Sequence, residues 1–292
     1  MKKTLSIIAA LCGYGIFGFS FLFSKLALDI TAPSVLLAFR FICAFLILNF
    51  ILIIKKQKLS FRGKPVARLL FMGLLQPIIY FLCESHGIAK TTASFSGVMI
   101  GLAPVAGIIV GALFLAERPT VIQLICTLLS VIGVALTTAG GFGEFSLSGF
   151  LLLLGAVFSA AAFTATSKSI SGDFTPFERT YVMFALGSVF FTAIALCENR
   201  PSELIRPIAS PLFLAAVVYL ALFSSVIAFL LINYAVAHLD TGHTLILSNI
   251  TTVVSVIAGI LILGDKFTLV QLIGVVLIIL CVFGASYRRN KK

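Results

Sequence analysis

The chain reads as long apolar runs parted by short polar breaks. Ten runs are candidates to cross a membrane: 4–28, 33–54, 66–89, 92–115, 120–140, 147–170, 175–197, 211–237, 241–263 and 268–288. A helix needs roughly 20 apolar residues to cover the hydrocarbon core. The breaks carry turn chemistry: Asp29 to Pro33, the basic loop 55–65, Pro119, Gly140-Gly141, Gly172 to Pro176, Pro201 to Pro211 and Asp240 to Gly242. None is long enough for a soluble domain. The pattern predicts an all-α membrane protein of ten transmembrane helices. The first run, after Met1-Lys2-Lys3, has the length to span and is expected to stay as an uncleaved first helix. Leu11 before Cys12 speaks against a lipid-attachment site.

Composition agrees with the pattern. Of 292 residues, 60% are apolar and 11% charged, with no Trp and a mean hydropathy of +1.18. A soluble domain is about 45–50% apolar and about 25% charged. A soluble enzyme, a nucleic-acid module and a disordered chain are therefore excluded. The six cysteines are scattered without a CxxC pair, so neither a zinc site nor a disulfide framework is indicated. The net charge of +11 has a topological reading. With the N-terminus inside, 15 of the 21 Lys and Arg fall on the inner side, Lys168 and Arg179 among them. Five (Lys25, Lys90, Arg200, Arg206, Lys266) fall outside, and Arg40 lies within a helix. Positive residues favour the cytoplasm, so both termini are expected there, in a bacterial plasma membrane. The loop 55–64 and the tail 288–292 would also meet anionic lipid of the bilayer.

The chain repeats itself. Residues 115–125 (LAERPTVIQLI) match 263–273 (LGDKFTLVQLI) at an offset of 148. The same offset pairs Phe81 with Phe229, Gln76 with Ser224, Pro104 with Thr252, Thr120 with Thr268 and Gln123 with Gln271. Nearer the start of each half, 24–33 (SKLALDITAP) matches 167–176 (SKSISGDFTP) at an offset of 143. The halves are residues 1–144 and 145–292, each with five runs. An odd number of spans turns the second copy upside down, which makes two inverted repeats with a substrate site between them near the midplane.

These residues carry a resemblance. Gly18 to Lys25, Pro33, Arg40, the stretch 91–104 (TTASFSGVMIGLAP) and 114–125 (FLAERPTVIQLI), with their second-half echoes, resemble the ten-helix EamA-like branch of the drug/metabolite transporter superfamily. The resemblance implies an exporter or importer of small metabolites such as amino acids, nucleobases or vitamins. Asp265 fits the family pattern. Glu84 stands where many members carry an uncharged residue.

Charge inside hydrocarbon is costly and usually serves a function. Arg40 lies roughly 10 Å and Glu84 roughly 9 Å below one boundary, with Lys25 and His86 each roughly 6 Å below it. Arg40 would grip a substrate carboxylate in a two-pronged arrangement, and Glu84 would face an ammonium or carry a coupling proton. The alternatives are a structural Arg40–Glu84 pair, or Arg40 snorkelling to the surface. At the midplane Gln76, Tyr14, Ser224, Asn249 and Thr252 offer uncharged donors and acceptors for a substrate, or bonds between helices. Thr251 and Ser225 lie at similar depth. Pro77 and Pro104 predict kinks. Gly97, Gly101, Ala103, Gly107 and Gly111 predict tight packing within the bundle. Glu117 and Asp265 are expected to cap the helices that follow them. His238, Asp240 and His243 match no standard metal spacing.

The expected function is a secondary transporter, working by alternating access, that exports small polar metabolites such as amino acids. The absence of a GxxxxGK[ST] loop makes ATP drive, and any cofactor, unexpected. Its partners are the solute, protons and the bilayer, not nucleic acid, and the chain acts as a monomer or homodimer. The alternative is a lipid-carrier flippase or a membrane-embedded enzyme acting on lipid. An enzyme would need a nucleophile, paired acids or a metal cluster near one face, and none stands out.

Overall fold

The computed structural model describes residues 2–57, 59–114, 120–139, 146–239, 241–264 and 268–287. It is 86% helix, with no strand among the described residues. The helices are α1 (Lys2–Leu28), α2 (Pro33–Ile54), α3 (Val66–Ala89), α4 (Ala93–Ile100), α5 (Ala103–Phe114), α6 (Val121–Ala139), α7 (Leu147–Ser169), α8 (Pro176–Glu198), α9 (Pro201–Ile205), α10 (Pro211–His238), α11 (Thr241–Ala258) and α12 (Leu269–Tyr287). Among the described residues, seven stretches are long and apolar enough to cross a membrane: α1, α2, α3, the run through α4 and α5, α7, α8 and α10. Helices α6, α11 and α12 lie over the other three apolar runs and are not among the seven; the apolar parts Ile250–Leu263 and Leu269–Cys281 are shorter.

Local sequence explains where the helices begin. Pro33, Pro176, Pro201 and Pro211 stand in first turns, where a missing N–H costs nothing. Thr92 and Ser146 accept the N–H of Phe95 and Gly149 at 3.1 Å each. Thr175 and Glu178 form a reciprocal capping box on α8. Thr268 and Gln271 do the same for α12. The Thr and Gln matches between the halves therefore include a helix start. Glu117, Asp265 and their basic neighbours lie outside the described residues, as do Asp240 and the His243 side chain.

Two long helices are irregular at matching places. Proline disfavours helical backbone in the residue before it. Gln76, which precedes Pro77, has φ −142° and ψ 114° within a π-helical turn at Leu74–Ile79. The Leu75 carbonyl, loosened by the break, accepts the Ser159 hydroxyl of α7 at 2.6 Å. In α10 a π-helical stretch runs over Tyr219–Ala228, spanning the positions 148 residues on. The chain also breaks at Gly101-Leu102, and Pro104 falls in the first turn of α5. The equivalent part of α11 runs through without a break.

Packing sets α1 against α10 and α11, and α7 against α3, α4 and α5. Helix α2 lies on α8, and α6 on α12. Gly97 and Gly101 of α4 face Ser255 and Thr252 of α11, and the Thr252 hydroxyl reaches the Gly97 carbonyl at 3.1 Å. These small residues thus serve contact inside the bundle. The surface is apolar: Val189 is 73% exposed and Leu261 78%. Arg40, Gln76, Glu84, Glu178, Arg179 and Asn233 are buried.

At Gly18, α1 lies close against α11. A Cβ there would lie 2.7 Å from the Val254 Cβ and 2.9 Å from the Thr251 carbonyl oxygen, whereas one on Gly15 would meet nothing within 4 Å. Gly18→Ala is expected to destabilise by about 1–3 kcal/mol, the cost of overpacking. Gly15→Ala should hold or raise stability, since Ala in a helix interior is favoured over Gly by roughly 0.5–1 kcal/mol. Thermal melting of the two variants in detergent checks the ordering.

Candidate functional site

A cavity of about 70 Å³ lies in the middle of the bundle. Its walls are Tyr14 and Phe17 of α1, Gln76 and Tyr80 of α3, Ile100 of α4 and Ala103 of α5. They are completed by Ala160, Phe163 and Thr164 of α7, Phe229 and Ile232 of α10, and Ser248 and Thr251 of α11. Three wall pairs stand at the repeat offsets: Ile100 with Ser248 and Ala103 with Thr251 at 148, and Phe17 with Ala160 at 143. The Thr251 hydroxyl donates to the Tyr14 carbonyl at 3.1 Å, and that of Thr164 to the Ala160 carbonyl at 2.9 Å. Gln76 is only 5% exposed, and its side-chain amide has no hydrogen-bond partner among the described residues.

An aromatic layer bounds this cavity. Phe17 stands 5.6 Å from Phe229 and 6.4 Å from Phe81, and Phe81 stands 6.2 Å from Phe229, between ring centroids. Phe81 does not touch the cavity. Its other face carries the Arg40 guanidinium, whose Cζ is 4.3 Å from the ring centroid, a cation–π contact. Arg40 is 1% exposed. Its Nε donates to the Ser225 hydroxyl and its Nη2 to the Ser224 hydroxyl, both at 2.9 Å. The irregular stretch of α10 thus presents two adjacent hydroxyls to one guanidinium. Glu84 accepts the Tyr80 hydroxyl at 2.8 Å. Arg40 and Glu84 form no ion pair within 4.0 Å and interact only through longer-range Coulomb attraction.

The structure therefore divides the residues expected from sequence. Gln76 and Tyr14 line the cavity. Arg40 and Ser224 form one cluster behind the rings, and Glu84 is joined to the wall through Tyr80. Lys25 pairs with Asp29 at 3.7 Å near the helix end. His86 bonds the Leu82 carbonyl on its own helix at 2.9 Å. Thr252 is spent on the α4–α11 contact. The Asn249 side chain lies outside the described ones.

Sequence reasoning missed a second buried cluster. Lys168 and Arg179 were counted as charges that set orientation. Arg179 is instead wholly buried. Its Nη1 donates to the Ser167 hydroxyl at 2.6 Å and its Nη2 to the Asn233 carbonyl at 2.8 Å. Asn233 in turn joins Ser167 and Thr180. Lys168 Nζ caps the end of α10, reaching the carbonyls of Val236 at 3.0 Å and Leu239 at 3.1 Å. A signal was available: Arg179 follows the Thr175–Glu178 capping box, which places it inside α8. The basic loop also has a tertiary role. Lys64 Nζ lies 3.3 Å from both Glu178 oxygens, and the Ser60 N–H donates to Glu178 at 2.9 Å. Among the described residues, no cluster of His, Cys, Asp and Glu could hold a metal.

Hydrogen bonds to a charged group are worth about 1.5–3 kcal/mol each. Replacing both Ser224 and Ser225 by Ala is expected to cost that much per bond, as a lowered melting temperature. Arg40→Lys should not recover the loss of the fork, because one ammonium cannot reproduce two fixed donors. Melting curves of the double serine variant and of Arg40→Lys check both statements.

Comparison with known proteins agrees with this architecture. The model of the EamA-like transporter family matches residues 4–139 and 147–287. The uncharacterized transporter YcxC of Bacillus subtilis (strain 168) is 32% identical over 298 residues, covering 100% of this chain and 96% of that protein. A probable terminal-alkyne amino-acid exporter of Streptantibioticus cattleyicolor is 27% identical over 217 residues, covering 73% of this chain and 70% of its own. One solved crystal structure shares the fold, with a TM-score of 0.71 at 15% identity over 98% of this chain and 99% of that one. With its apolar surface and inward polar groups, the chain is an integral membrane protein and belongs to the EamA-like transporter family.

Proposed function

We propose that this protein is a secondary transporter that exports small polar metabolites across the bacterial plasma membrane by alternating access. Its two inverted five-helix halves are residues 1–144 and 145–292, with both termini in the cytoplasm. The observation that carries the reading is the cavity, to which both halves contribute and in which three pairs of wall residues stand at equivalent positions. Helix pairings support it as well. Exchanging the halves turns the α1–α10 contact into α7–α3, and the α1–α11 contact into α7 with α4 and α5. The α2–α8 and α6–α12 contacts map onto themselves. The two matched stretches of the family model agree with the same division.

In this reading the solute occupies the cavity on one side of the Phe17, Phe81 and Phe229 layer. Rocking of the halves opens that layer and closes the opposite end, where Lys64 and Glu178 tie the 55–65 loop to α8. Tyr80 links the two compartments, since its ring meets the solute and its hydroxyl holds Glu84. Glu84 then carries the coupling proton, because a buried carboxylate without a close cation is costly to keep charged. Amino acids are one class of small polar solute, and the Streptantibioticus relative is named for one. The solute leaves chemically unchanged.

Flux of candidate metabolites in proteoliposomes, with and without a pH gradient, tests the proposal. Transport driven by the gradient is expected, and absence of flux for every class of small solute would end the reading. Glu84→Gln is expected to abolish the response to the gradient; full activity with unchanged pH dependence ends the coupling role. Single cysteines placed in 59–64 and after 287 should both react with an impermeant thiol reagent from the cytoplasmic side only. Labelling from opposite sides would overturn the inverted arrangement.

A further inference from the structure

The cavity also says what kind of group it is built to hold. Resting on the proposed transport role, we infer that it binds an uncharged planar ring or amide, through an adjacent donor and acceptor on its edge, docked on the side chain of Gln76.

Three observations lead there. First, among the described residues, no carboxylate, ammonium, guanidinium or imidazole lines the cavity. Arg40 and Glu84 are engaged with Ser224, Ser225 and Tyr80 beyond the wall. An ionised carboxylate or ammonium placed here would lose its water with no opposite charge to replace it, which is heavily penalised. Second, the free polar capacity is that of an amide. The hydroxyls of Thr164, Thr251 and Tyr80 already donate to protein oxygens. Gln76 is 5% exposed, and its amide touches the cavity without a hydrogen-bond partner among the described residues. A ligand that meets both its carbonyl and its NH2 would use this donor and acceptor together. The Tyr14 hydroxyl, which borders the same space, also has no partner among the described residues. Third, the apolar wall includes three phenylalanines, Phe17, Phe163 and Phe229, beside Ile100, Ala103, Ala160 and Ile232. Phe17 and Phe163 stand edge-on to Phe229, at 5.6 and 6.4 Å, which offers faces and edges to a flat ring.

A cavity of about 70 Å³ leaves room for a small solute beside Gln76. The geometry has its origin in the sequence. Pro77 forces the residue before it out of helical backbone, and that residue is the glutamine. The repeat partners of Gln76 and Pro77 are Ser224 and Ser225, which hold Arg40 instead.

Calorimetric titration of the full-length protein in detergent tests the assignment with four probes: uracil, benzamide, benzoate and L-leucine. Uracil and benzamide are expected to bind, benzoate and leucine at least tenfold more weakly. Gln76→Leu and the nearly isosteric Gln76→Glu should each weaken the two amides at least tenfold. The second variant decides the matter if the first does not fold. Benzoate or leucine binding as tightly as the amides, amide binding indifferent to Gln76, or no amide binding at all would overturn the inference. Proteoliposome flux separates this from the transport reading. Solute flux without amide preference removes only the ligand class, whereas Gln76-dependent binding without any flux keeps the ligand class and removes transport.

Discussion

Hydrocarbon offers no hydrogen bonds, and that constraint orders this structure. A polar group facing lipid has nothing to bond, so each must be satisfied within its own helix, across a helix contact or toward an internal space. The surface is accordingly Leu, Ile, Val and Phe. Arg40, Arg179, Gln76, Glu84 and Asn233 turn inward. The helix irregularities obey the same rule. The Leu75 carbonyl beside the Gln76 break is met by Ser159 of a neighbouring helix.

Two arginines express the constraint most sharply. Arg40 on α2 and Arg179 on α8 both reach α10, at residues 224–225 and at residue 233. The two levels are roughly 12–14 Å apart at 1.5 Å per residue. Phe229 and Ile232, the cavity residues of α10, lie between them. Helix α10 is thus gripped on both sides of the part that lines the cavity. Among the described residues, neither arginine has a close carboxylate. Both are held by hydroxyls and carbonyls, which are neutral partners a helix can release and regain without separating ions.

Similar halves perform different tasks. At one repeat position the first half carries Gln76-Pro77 and the second Ser224-Ser225. Both sites are irregular helix, yet one turns an amide to the cavity and the other turns hydroxyls to a guanidinium. Likewise α4 breaks at Gly101-Leu102 while α11 continues. The first half has Pro104 and the second has Thr252, whose hydroxyl is used to join the two helices. Positions matched in sequence thus carry different chemistry.

Much of this was legible in the chain alone. Apolar run length located the helices, because the thickness of hydrocarbon is a property of the solvent and not of the fold. Proline placed the break in α3, since its ring restricts its own backbone and that of its neighbour whatever surrounds them. Gln76 and Tyr14 were found as midplane polar groups by counting residues along a helix. What counting cannot supply is direction around the helix axis and the identity of the facing helix. Arg40 and Glu84, of similar depth, proved to have separate partners because α10 inserts two hydroxyls beside one and Tyr80 takes the other. Arg179 and Lys168 read as loop charges until packing buried the first and set the second on the end of α10. Local chemistry and solvent thickness act within a few residues and so are written in the sequence. The partner of a buried charge is chosen by helices far apart in the chain, and only their packing decides it.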